Sequence, residues 1–249
     1  MYHFYTEKSN ISDDHIILDG SDVNHIRNVL RMKEGEELII CDGDGTDHFC
    51  RIRGYDGKRL IADIMKSSSS ASELSAKVVL FQGLPKKDKM ELIIQKAVEL
   101  GVSEIVPVLT RRVIVKLDDA GKESRKLERW QSIARSAAEQ SGRGIIPTVR
   151  NVIGWNEALK EAGNLECSVI PYENADNSEN GLENSRTVIR ELKGRKSIGV
   201  FIGPEGGFEE DEIRQAVEAG FHTISLGRRI LRTETAGLAT LAIIGFELD

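Results

Sequence analysis

The apolar positions of the chain follow two rhythms. In the first third they come in short β-type runs. Glu37–Cys41, Thr46–Arg53 and Arg59–Met65 read as strands, with Asp42-Gly43 and Asp56-Gly57 as turn signals between them. One stretch departs from this pattern. From about Asp22 to Met32, the residues Val23, Ile26, Val29 and Leu30 share one face of a helix, and Ser21 is placed to cap it. These elements fit a small barrel of five or six strands with one helix. The stretch KSSSSASELSA, Lys66–Ala76, then reads as a flexible linker, because four consecutive serines have nothing to bury.

Beyond the serines, strands alternate with helices. Lys77–Gln82 and Glu104–Leu109 are apolar strands. Asp88–Leu100 between them is helical, with Asp88 and Glu91 at capping-box spacing and Gly101 as its stop. Ser124–Gln140 is a second helix. Cys167–Ile170, Ser197–Ile202 and Thr223–Leu226 are further strands, and helices follow near Ser185–Leu192, Glu209–Ala219 and Thr233–Phe246. The alternation predicts a parallel α/β sheet covered on both faces. The last helix, TETAGLATLAIIGF, is apolar nearly all round, which implies burial on all sides, in a core or a subunit interface. The expected domains are residues 1–70 and 74–249.

Composition narrows the class. The 249 residues leave room for one large or two modest domains, and 40% hydrophobic with 30% charged residues reads as globular. No apolar run approaches the ~18 residues of a membrane span. MYHFYTEKSN lacks the basic-then-apolar pattern of a signal peptide. Cys41, Cys50 and Cys167 are odd in number and scattered, which argues against a disulfide scaffold and for a reducing cytoplasm. The net charge of −6 speaks against nucleic acid when taken whole. Residues 77–150, however, carry 15 basic and 9 acidic side chains, either a solvated helical face or a local positive field.

Common catalytic signatures are absent: no GxxxxGK[ST], no GxGxxG after a strand, no GxSxG and no HExxH. The five histidines lack partners at ligand spacing, so no metal is expected. Two loops stand out instead. In Phe201–Phe208, FIGPEGGF, a buried strand runs into Gly203-Pro204-Glu205-Gly206-Gly207 and then a helix. Ligands of open α/β sheets sit at such strand ends, and glycines let backbone N–H groups approach them; a tight turn would need the same residues. In Ser225–Ala236, SLGRRILRTETA, Ile230 and Leu231 are expected to be buried and to pin Arg232 near the sheet, and Thr233 can cap the last helix. Three solvated arginines are the alternative reading of that loop.

FIGPEGGF followed by SLGRRILRTETA resembles the 16S rRNA uridine-N3 methyltransferase family, ribosomal RNA small subunit methyltransferase E, of the SPOUT superfamily. QGLPKKDKM (Gln82–Met90), ELIIQKAVELG (Glu91–Gly101), RWQSIARSAAEQSGR (Arg129–Arg143) and NHIRNVLR (Asn24–Arg31) agree in the same order. The resemblance implies a PUA-like RNA-binding barrel followed by a SPOUT α/β domain with a deep trefoil knot. It also implies a cytoplasmic homodimer with the final helix at its interface, S-adenosylmethionine as cofactor, and small-subunit ribosomal RNA as partner, within the assembled or assembling 30S subunit. By match, the cofactor residues are Pro171, Ile202, Gly203, Pro204, Glu205, Gly206, Gly207, Leu226, Gly227, Ile230, Leu231, Arg232, Thr235 and Ala236.

Uridine N3 must lose its imide proton before it attacks a sulfonium methyl group, and negative charge then spreads onto the two carbonyl oxygens. A guanidinium stabilises such charge, which makes Arg232 the expected catalytic residue; Glu205 would orient the base or accept the proton. Lys86, Lys87, Lys89, Arg111, Arg112 and Arg143 are the expected phosphate contacts of the positive segment, with Arg27 and Arg31 in the barrel. Two other activities share these loops: ribose 2′-O-methylation, and RNA binding without catalysis.

Overall fold

The computed structural model describes residues 1–113, 120–173 and 181–249, which divide into two compact units. The first comprises Met1–Glu73 together with Ala138–Ile146; the second comprises Leu74–Ala137 and Pro147–Asp249. The sequence reading assigned all of 138–146 to the second domain.

The first unit is a five-stranded sheet. Its strands are β1 (His3–Tyr5), β2 (His15–Leu18), β3 (Glu37–Cys41), β4 (Thr46–Asp56) and β5 (Arg59–Ser69), in the order β1-β3-β4-β5-β2. The sequence reading missed β1 and β2, which are only three and four residues long. Alternation along the strands sends Leu38, Ile40, Cys50, Ile52, Leu60 and Ala62 inward, where they pack with Ile16, Ile26 and Phe4. Ser67–Ser69 are strand rather than linker, because they pair with Thr46–His48, and the His48 ring bonds the Ser67 hydroxyl at 2.8 Å. Ladder hydrogen bonds use backbone groups, so a serine at each position does not prevent pairing.

The helix of this unit is shorter than expected and widens part-way along. α1 (Ser21–Asn24) continues as a π-helical turn over His25–Val29, where the Leu30 N–H reaches the His25 carbonyl. Gly20, not Ser21, holds the capping position, and Arg31 at φ 56° ends the run. The segment 142–146 closes against the barrel: Gly144 N–H and Ile145 N–H donate to Glu73 Oε1 at 2.9 and 3.1 Å, and the Tyr5 hydroxyl donates to the Arg143 carbonyl. Arg143 itself is 2% exposed, its guanidinium paired with the Glu73 carboxylate. This corrects its assignment as a phosphate contact. His3, Cys41 and Asp47 bring potential metal-ligating atoms within 4.8 Å, a proximity hidden by their separation in sequence. His3 Nε2 bonds Asp47 at 3.1 Å and Cys41 Sγ donates to the Gly144 carbonyl, while His3 Nδ1 is buried without a hydrogen-bond partner.

The second unit is built on a parallel sheet ordered β12-β10-β11-β6-β7-β8, with β9 also on β7. Its elements are β6 (Lys77–Gly83), α2 (Lys89–Glu99), β7 (Glu104–Leu109), α3 (Ala120–Ser141, of which the residues from Ala138 on belong to the first unit), β8 (Thr148–Val149), β9 (Ile153–Gly154), α4 (Trp155–Ala162), β10 (Cys167–Pro171), α5 (Gly181–Glu191), β11 (Ser197–Ile202), α6 (Glu210–Glu218), β12 (His222–Ile224) and α7 (Thr233–Leu248). β6 and β11 lie side by side at the centre, in register from Lys77/Ser197 to Gln82/Ile202. Phe81 and Phe201 stack at 4.4 Å between their centroids. Their loops therefore leave the sheet together at its carboxyl edge. β8, β9 and α4 were not expected; the strands are two residues each. Among the described residues no helix is long and apolar enough to cross a membrane.

One local expectation, the capping box of α2, fails. Asp88 caps α2 without a side-chain bond, because Glu91 turns to Arg129 at 2.8 Å instead of back to its own helix start. The capping box forms on α6, between Glu209 and Glu212. α7 is not buried on all sides within the chain: Gly237, Leu241, Ile244 and Leu248 face inward, while Ile243 is 45% and Phe246 85% exposed.

Candidate active site

The carboxyl edge of the central strands carries a cavity of about 190 Å³ within the second unit. Ile202 and the loop Gly203–Gly207 form one wall. Leu226, Gly227, Ile230 and Leu231 form the facing wall, Pro171 lies at the end of β10, and Ala236 contributes from α7. Thr235 and Arg232, both named from the sequence, do not line it; Arg232 sits just before α7 with an exposed side chain. Ile230 is 86% exposed. That corrects the expectation that it is buried and pins Arg232; Thr233, the next residue, supplies the anchor instead.

Thr233 is 5% exposed, and its hydroxyl is used in both directions. It donates to the Gly203 carbonyl at 2.6 Å and accepts from Gln82 Nε2 at 3.0 Å. Hence it does not cap α7, whose capping residue is Arg232. The Gln82 amide also donates to the Gly83 carbonyl at 2.9 Å, so the end of β6, the glycine loop and the start of α7 share one hydrogen-bonded chain. Such chains polarise along their length and fix their members in place. Sequence reasoning passed over Gln82; the signal was a polar residue ending the otherwise apolar run VVLFQ.

The loop after β11 has the backbone its glycines permit. Gly207 adopts φ 69°, and a Cβ on Gly203 would lie 3.0 Å from the Gly207 carbonyl carbon. Glu205 does not stand free in the cavity. Its carboxylate accepts the Lys86 N–H at 3.0 and 3.2 Å, and Lys89 Nζ lies 3.3 Å away. Burial pushes its carboxyl up, but its own and the Lys86 backbone N–H groups and Lys89 outweigh this and hold it below the usual carboxylate range. Lys89 also approaches Glu234 at 3.1 Å. Arg112 clamps the other side of the loop, donating to the Gly206 carbonyl at 2.6 Å and to Glu209 at 2.8 Å. Arg111 pairs with Asp211 at 2.6 Å. Lys89, Arg111 and Arg112, expected as phosphate contacts, are thus paired with carboxylates, whereas Lys86 and Lys87 are exposed.

Tyr172, Glu173, Phe208 and Ser225 also line the cavity and were not named from the sequence, and Arg112, Arg229 and Thr233 border it too. The arrangement suits a compact polar ligand with an aromatic part. Backbone groups of two glycine-containing loops line its rim, apolar walls come from Ile202, Leu226 and Phe208, and no side-chain nucleophile is required. S-adenosylmethionine fits this donor set. A second, more apolar groove of about 380 Å³ lies between α5, the end of β12 and α7, and lacks the glycine loop.

Comparison with known proteins agrees with this geometry. Residues 72–245 match a family described as an RNA methyltransferase domain, and residues 18–65 match an RNA methyltransferase PUA domain. Ribosomal RNA small subunit methyltransferase E of Bacillus subtilis is 37% identical over 93% of this chain and 90% of its own. Its namesake from Mesomycoplasma hyopneumoniae is 36% identical over 97% of both chains. The crystal structure of the Neisseria gonorrhoeae protein of that name, bound to S-adenosyl methionine, superposes with a TM-score of 0.78 at 35% identity, covering 97% of this chain and 95% of that one. The chain belongs to the ribosomal RNA small subunit methyltransferase E family.

Proposed function

We propose that this chain, an S-adenosylmethionine-dependent methyltransferase of small-subunit ribosomal RNA, places its methyl group on N3 of one uridine, in the assembled or assembling 30S subunit of the cytoplasm. The carrying observation is the pairing of the glycine-loop cavity with Arg232 at the adjoining start of α7. When bound, the cofactor supplies a methyl group on a sulfonium, which needs no metal to make it a leaving group.

The protein's part is orientation and charge. The Gln82–Thr233–Gly203 chain holds the glycine loop and the start of α7 together. Arg232 offers a permanently charged set of donors to the carbonyl oxygens of the uridine as N3 gives up its proton. Glu205, held anionic below the usual carboxylate range and bonded to Lys86, is a poor proton acceptor; its role is to order the loop and orient the base. Lys86 and Lys87 in this unit, and Arg27 and Arg31 in the barrel, are exposed and suited to phosphate contact. The exposed Ile243 and Phe246 of α7 support a homodimer through that helix.

The test is mass mapping of small-subunit rRNA treated with the purified protein and cofactor, followed by digestion to nucleosides. A methylated uracil base is expected. Methylation confined to the ribose would replace this reading with 2′-O transfer, and no methylation of either naked RNA or subunits would leave an RNA-binding protein.

A further inference from the structure

Lys89 opens α2, and its ammonium lies between two carboxylates from distant parts of the chain. Nζ is 3.3 Å from Glu205 Oε1 in the β11–α6 loop and 3.1 Å from Glu234 Oε2 in the first turn of α7. Both segments are cavity walls: Glu205 lines the cavity, and Glu234 stands between the lining residues Thr233 and Ala236. The two anions are unequally supported. Glu205 has the Lys86 N–H as well, whereas Glu234 Oε2 is buried with no hydrogen-bond partner, so the nearby ammonium is its compensation. A buried carboxylate that loses its counter-charge is destabilised more than the intact pair was stabilised.

We propose that Lys89 is a positioning residue for methyl transfer: its ammonium holds the glycine loop and the first turn of α7 at the separation the cofactor cavity requires. The proposal rests on reading that cavity as the cofactor site. It replaces the phosphate-contact role expected from sequence, since a cation already set between two anions presents little net charge to a polyanion. It also gives the KKDK run a division of labour. Lys86 and Lys87 are exposed, while Lys89, only 29% exposed at its side chain, turns inward.

The test uses the full chain as Lys89→Met, Glu234→Gln and the double variant. Met keeps much of the apolar stem and removes only the charge. Each protein is titrated with S-adenosylhomocysteine, and separately with a small-subunit rRNA fragment over a salt series, and its melting temperature is recorded. Lys89→Met is expected to weaken S-adenosylhomocysteine binding roughly tenfold, a change of one decade in affinity. Adding Glu234→Gln is expected to restore most of that loss, because the uncompensated charge is gone, while RNA affinity and its salt slope stay parental. If Lys89→Met does not fold but the double variant does, the same charge compensation is demonstrated. The proposal is overturned by weakened RNA binding with unchanged cofactor affinity, by a cofactor defect that Glu234→Gln leaves in place, by a lowered melting temperature with parental affinity, or by a double variant that does not fold. Parental protein that fails to bind S-adenosylhomocysteine would instead refute the cavity reading itself.

Discussion

Gly83 and Pro204 touch so closely that a Cβ on residue 83 would lie 2.6 Å from Pro204 Cδ and 2.7 Å from its backbone nitrogen. The end of β6 and the glycine loop after β11 are therefore packed backbone to backbone. Gly83→Ala is expected to cost about 1–3 kcal/mol, as overpacking does, and to displace the loop from the cavity. Urea unfolding and a cofactor titration check this; parental affinity in a folded Gly83→Ala protein would show that the contact does not set the loop.

The Arg232 side chain is exposed and interacts electrostatically with Glu234, while its cap contact to α7 is made by the backbone, so Arg232→Ala should stay within about ±0.5 kcal/mol of parental stability. Its turnover should fall by about 10²–10³, the effect of losing one charge-stabilising donor. Single-turnover assays decide the matter. Cofactor binding should be nearly unchanged, because Arg232 does not line the cavity. Methylation at the parental rate would remove Arg232 from the mechanism.

Glu73 and Arg143 form a pair whose side chains are 15% and 3% exposed, and Glu73 also receives two backbone N–H groups. Replacing Arg143 with Met leaves that carboxylate without its counter-charge, so a loss of about 3–5 kcal/mol is expected. RNA affinity of the folded protein should not change. A stable Arg143→Met protein with weakened RNA binding would reinstate the phosphate role.

Burial first, then nearby acidic groups, pushes the Cys41 and Cys50 thiols from 9.0 up to about 12, and burial raises the Tyr5 phenol in the same direction. All three bind their protons more tightly folded than unfolded. Their contribution is complete below pH ~9 and is lost as pH rises from there through the folded values. Alkylation of Cys41 and Cys50, followed by mass spectrometry, should therefore be slow at neutral pH and accelerate under alkaline conditions together with unfolding of the first unit. Fast labelling at neutral pH would contradict the burial argument.

The apolar face of α7 predicts a dimer. Light scattering should give the mass of two chains, and Ile243→Asp with Phe246→Asp should reduce it to one without unfolding the chain, since both side chains are exposed. A parental mass of one chain would leave that face unexplained.

Much of this architecture was legible in the sequence, for reasons that differ by element. The strands Glu37–Cys41, Glu104–Leu109 and Ser197–Ile202 were read to the residue because each is a short, mostly apolar run that opens on a polar residue. The glycine loop was legible because glycine and proline restrict backbone geometry locally. What stayed hidden depends on partners far along the chain. The serines of β5 become strand only through pairing with β4, and the hydroxyl of Thr233 serves the glycine loop instead of its own helix. Lys89 looked like its neighbours Lys86 and Lys87, because nothing local reveals that two carboxylates converge on it. Ile230 was misjudged because an apolar side chain on a loop carries no record of which way it faces.

The inclusion of Ala138–Ile146 in the first unit sets an order of events during synthesis. A ribosome that has released only the first 73 residues has produced every strand of the barrel, yet the Glu73 carboxylate, the Tyr5 hydroxyl and the Cys41 thiol still lack the partners supplied by residues 143–145. About seventy more residues, including β6, α2, β7 and the whole of α3, must emerge before those bonds close. The module that comes first in the chain is thus finished late, and a fragment ending at Glu73 would leave the Tyr5 hydroxyl, the Cys41 thiol and the Glu73 carboxylate without the partners that residues 143–145 supply.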